Sequence, residues 1–67
     1  MSSNEIILER LFEQRDLNLN LLKHLDFELV MDPTEKEIQN IKKLQVSTID
    51  QLKKIEQEIA FLTSEKS

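Results

Sequence analysis

The stretch Met31-Asp32-Pro33-Thr34-Glu35 holds the only proline of a 67-residue chain that contains no glycine. It lies almost at the midpoint, with a long segment of helical apolar spacing on either side. Proline lacks a backbone N–H and disfavours the α conformation in the residue before it, so a helix arriving through Val30 has to stop near Asp32. It also suits the first position of a new helix, where the missing N–H would have had no partner. The expected order is helix 1 over about residues 3–31, a turn over about 31–33 and helix 2 over about 33–63, in a single hairpin spanning 1–67. Asp32 is placed to cap helix 2 with its carboxylate, and Glu35 completes a capping box three residues on. At the other end Ser2 and Glu5 have the same spacing, so helix 1 should begin near residue 3, with fraying expected over Met1 to Ser3 and Thr63 to Ser67.

Working outward, helix 1 carries Ile7, Leu8, Leu11, Phe12, Leu19, Leu21, Leu22, Leu25, Leu29 and Val30 on an arc roughly 180° wide, more than one neighbouring helix covers. Helix 2 has a cleaner heptad, with Ile38, Gln45, Leu52 and Ile59 at one set of sevens and Ile41, Thr48, Ile55 and Leu62 offset by three. That is the a/d pattern of a coiled-coil seam, with a polar centre flanked by Leu44 and Ile49. In one frame helix 1 matches it, with Leu8, Arg15, Leu22 and Leu29 at a and Leu11, Asn18 and Leu25 at d; a second frame runs through Leu8, Phe12, Leu19 and Leu22. A fold-back at Asp32-Pro33 predicts cross-seam partners whose numbers sum to about 63, pairing Leu8 with Ile55, Leu11 with Leu52, Leu22 with Ile41 and Leu25 with Ile38. Asn18 would then face Gln45, and Arg15 would face Thr48, in a buried polar layer that fixes the register. The fold class is all-α: an antiparallel two-helix coiled-coil hairpin forming part of a four-helix bundle through oligomerisation or a partner.

A chain of this length makes a small core, and no staple is present, since cysteine is absent and one histidine cannot build a zinc site. Association is the expected remedy. The net charge of −4 disfavours nucleic acid and anionic membranes, which select for basic excess. No apolar run is long enough for a bilayer span, and no signal peptide is visible, so an intracellular, cytoplasmic location is expected.

Candidate chemistry is sparse. His24 lies one turn before Glu28, but no nucleophile or third orienting group shares its face, so it reads as a solvated surface histidine and no catalytic role is assigned. Neither a cofactor nor a metal is expected. Lys36, Lys43 and Lys54 line up on one outer strip of helix 2 with Lys42 and Lys53 beside it, the spacing of an RNA-gripping surface. Asp50 interrupts that row, and no aromatic side chain is placed for base stacking. Ile6, Leu17, Phe27, Met31, Val46 and Phe61 point away from the seam. No motif identifies a family: the Ser-Gln-Glu-Leu-Asp signature of sporulation phosphatase hairpins is absent, and helix 2 has Glu37-Ile38-Gln39-Asn40-Ile41 instead. The reading that follows is a non-catalytic assembly subunit binding through an apolar face, to itself as a homodimer or to helices of a larger complex. Phe12, Leu19, Leu21, Val30 and Leu44 are its candidate contact residues. The alternative is a small regulatory or RNA-binding hairpin acting through the lysine strip.

Overall fold

A computed structural model of the chain describes residues 3–64. It shows two helices, α1 (Ser3–Leu29) and α2 (Glu35–Ser64), packed against each other, with no strand among the described residues. The pair forms a rod of 49 × 17 × 14 Å. The Ser2 cap lies outside the described residues, as do the last three of those expected to fray. Thr63 and Ser64, also expected to fray, continue the helix; their hydroxyls donate to the carbonyls of Ile59 at 2.8 Å and Phe61 at 2.9 Å.

The turn differs from its sequence reading in how the work is divided. α1 tightens as it ends, with Val30 N–H donating to Phe27 O at 3.1 Å and Met31 N–H to Glu28 O at 3.2 Å. Asp32 then takes a left-handed conformation at φ 55° and swings the chain away. A residue held there cannot also take the extended backbone of an N-cap, so the capping role expected of Asp32 falls to Thr34. The Thr34 carbonyl accepts the first intrahelical bond, from Ile38 N–H at 2.9 Å. Its hydroxyl accepts from Glu37 N–H at 3.2 Å, and its own N–H donates to Glu37 Oε1 at 3.1 Å. This is a complete capping box two residues later than expected, leaving Pro33 ahead of the cap rather than inside the helix. Pro33 and Ile38, both half-buried, occupy the two positions of a hydrophobic staple.

Burial follows the a/d frame in both helices and excludes the second frame of helix 1. Leu8, Leu11 and Leu25 of α1 and Ile41, Thr48, Ile55 and Ile59 of α2 are buried, whereas Phe12 and Leu19 are exposed. The register is one heptad away from the expected one. Arg15 pairs with Glu56 and Gln45 with Asp26, and both pairs have residue numbers summing to 71 rather than to about 63. The a-to-d′ sum consistent with these flanking contacts is 70, so Asn18 does not face Gln45 and Arg15 does not face Thr48. The gain is at the open end. Leu8 and Leu11 cluster with Ile55 and Ile59, and Leu62 packs against them; at a sum of 63 Ile59 would face Asn4. The five-residue connection between the helices gives α2 the slack to slide that far.

Candidate interaction surface

The two polar a positions each reach across the seam to a carboxylate one residue beyond a d position. Arg15 Nη1 lies 3.4 Å from Glu56 Oε1, and Gln45 Nε2 donates to Asp26 Oδ1 at 2.9 Å. One clasp starts from α1 and the other from α2, so they repeat one local geometry with the helices exchanged. The Arg15 guanidinium also sits 5.0 Å from the centre of the Phe12 ring. Buried Thr48 is satisfied within its own helix, donating to Leu44 O at 2.7 Å. No buried side-chain polar atom among the described residues lacks a partner.

These clasps define one long face of the rod. At intervals of seven, Phe12, Leu19 and Asp26 run beside Lys42, Ile49 and Glu56, so the middle of this face is Leu19 and Ile49, both 43% exposed, with a clasp at either end. Val46 lies outside that row, and Val30, 76% exposed, marks its turn end. The opposite face carries three shallow grooves of about 380, 440 and 470 Å³. In them Gln14 lies near Gln51, Ile7 near Glu58 and Phe61, and Glu28 near Leu44. Leu21 belongs to that side by its spacing of seven from Gln14 and Glu28.

The five candidate contact residues are therefore all exposed but do not form one patch. Phe12, Leu19 and Val30 lie on the clasped face, and Leu21 and Leu44 on the grooved face, with the seam between them. Ile49 and Val46 complete the clasped face; their signal was the apolar flank beside the seam of α2. The five lysines are exposed as well. Lys36, Lys43 and Lys54 run along the back of α2 with Asp50 between them, while Lys42 and Lys53 lie about a quarter-turn or more round the helix, on the clasped side.

Two features bear on chemistry. His24 Nε2 lies 3.2 Å from Glu28 Oε1 in a solvent-exposed pair. The Thr34 N–H, and secondarily its hydroxyl, hold the Glu37 carboxyl below the usual glutamate range. No group of three or more metal-ligating side chains occurs among the described residues, and no helix there is long and apolar enough to cross a membrane. Comparison with protein-family models, with curated proteins and with solved structures finds no match for this chain.

Proposed function

We propose that the chain is a non-catalytic assembly module, a helical hairpin whose two apolar faces are completed by other helices. The observation that carries this reading is the imbalance between core and surface. Among the described residues seven side chains are buried and none of them fully, while thirteen large hydrophobic residues stay exposed. Scattered exposed leucines are ordinary, but exposed apolar residues on both flanks of one seam are what a bundle buries. The test combines sedimentation with affinity capture by the intact chain from its native cell. Self-association or capture of a helical partner, abolished by Leu19→Asp or Leu44→Asp with helix content intact, supports the role. A chain that neither self-associates nor captures anything would refute it. Salt separates this reading from phosphate binding through the lysines, which weakens steeply as ionic strength rises.

A further inference from the structure

We infer that the clasped face docks a second copy of the chain, with the twofold axis along the rod so that both turns lie at the same end and α1 of each copy faces α2 of the other. The inference rests on the assembly role proposed above and adds the partner, the face and the orientation.

Three observations carry it. First, the chain exposes 5400 Å² at a mass of 7.9 kDa. That is about 1,000 Å² above the ~4,400 Å² expected for a compact monomer of this mass, and a standard interface takes about 800 Å² from each partner.

Second, the charges of this face are divided between the helices. α1 contributes Glu5, Glu9, Asp16, Lys23 and Asp26, a formal balance of −3. On α2 Glu56 is already paired with Arg15, which leaves Glu35, Lys42 and Lys53, a balance of +1. A partner offering α2 against α1 and α1 against α2 sets opposite charge along both edges, and the chain itself is such a partner. A twofold axis across the rod would instead set −3 against −3 and +1 against +1.

Third, the register makes the match local. The clasps put Asp16 level with Lys53, Leu19 with Ile49, and Asp26 with Lys42, each to within a turn. An axis along the rod preserves those levels. Leu19 and Ile49 of both copies then form a central apolar layer, with an Asp16–Lys53 pair on one side and an Asp26–Lys42 pair on the other, each made twice. Closing the dimer removes water from the layer and leaves the ion pairs at the rim, where they select orientation more than they add affinity.

Sedimentation equilibrium on charge-reversed chains tests this. Asp16→Lys and Lys53→Asp should each weaken the dimer about tenfold. The double variant carrying both reversals should return to near the original affinity, with circular dichroism showing unchanged helix content throughout. Because the chain has no cysteine of its own, separately prepared Asp16→Cys and Lys53→Cys chains, mixed and oxidised, should give the mixed disulfide in preference to either homodimer. A mixed disulfide between Asp16→Cys and Lys23→Cys chains, with none to Lys53→Cys, would overturn the orientation. Association that is blind to the reversals but lost on Leu21→Asp would overturn the choice of face while leaving the assembly role standing. A chain monomeric at millimolar concentration would overturn self-docking outright, and the capture experiment would then decide the assembly role separately.

Discussion

Asp32 does in this chain what glycine does in most, turning the backbone through a positive φ to end a helix. Aspartate tolerates that region because its short carboxylate bonds locally; a β-branched side chain does not. Asp32→Val is therefore expected to be less stable than Asp32→Gly by about 1 to 2 kcal/mol in denaturant unfolding, a difference that vanishes if the turn has no left-handed residue. Two residues on, Thr34 and Glu37 close the capping box. Thr34→Ala should cost about 1 kcal/mol at neutral pH, with Thr34→Ser close to the original. The linked carboxyl gives the box a pH signature. Because Glu37 titrates lower in the folded chain than in the unfolded one, its contribution is present in full above the ordinary glutamate range and is lost as the pH falls through its folded value. The penalty of Glu37→Ala, followed by thermal melts, should thus shrink on acidification. A penalty independent of pH would mean that the box does not form in solution.

At the level of the helices, the decisive quantity is the stagger. Both helices keep strict sevens, so the a and d positions interlock as well at a sum of 70 as at 63, and pattern alone cannot choose between them. The choice is made by Ile59 and Leu62, which find Leu8 and Leu11 only in the observed register, and by the two clasps that take Arg15 and Gln45 out of a buried polar layer. Cysteines at 11 and 59 should therefore oxidise to an intramolecular disulfide readily, and cysteines at 11 and 52, offset by about 10 Å along the axis, should not. The reverse order would restore the register expected from the sequence. The two helices, their frame and the break near Pro33 were legible because each depends on local spacing. The cap was not, because Asp32-x-x-Glu35 and Thr34-x-x-Glu37 have the same spacing and only the backbone turn at Asp32 decides between them. The exposure of the five candidate contact residues was legible, four from the wide arc of helix 1 and Leu44 from the flank of the α2 seam, but their division between two faces depends on where the seam runs. Ile49 acquires its place beside Leu19 only once the stagger is known.

The molecule is a thin rod with a one-sided core in each helix and, among the described residues, no fully buried side chain. Such a hairpin gains more from a neighbour than a globular domain of equal length, because its flanks are already apolar and already ordered. Its melting temperature should rise with protein concentration, as linkage requires when folding and assembly are coupled. Light scattering at micromolar concentration should report at least two chains. A concentration-independent melt of a monomer would leave the rows of exposed leucine, isoleucine and phenylalanine to a different protein.

The clasps also bear on chain order. Arg15 to Glu56 and Gln45 to Asp26 repeat one contact with the helices exchanged, and the stagger brings Ser3 nearly level with Ser64 at the end away from the turn. The seam is thus indifferent to which helix is synthesised first. A permuted chain could begin at Thr34, run through α2, cross the roughly 10 Å between axes on a linker of about four residues, and finish with α1. It would keep the capping box, both clasps and both faces while dispensing with the left-handed aspartate. In that sense the connection sets which helices meet, and the information that aligns them is written wholly in the seam.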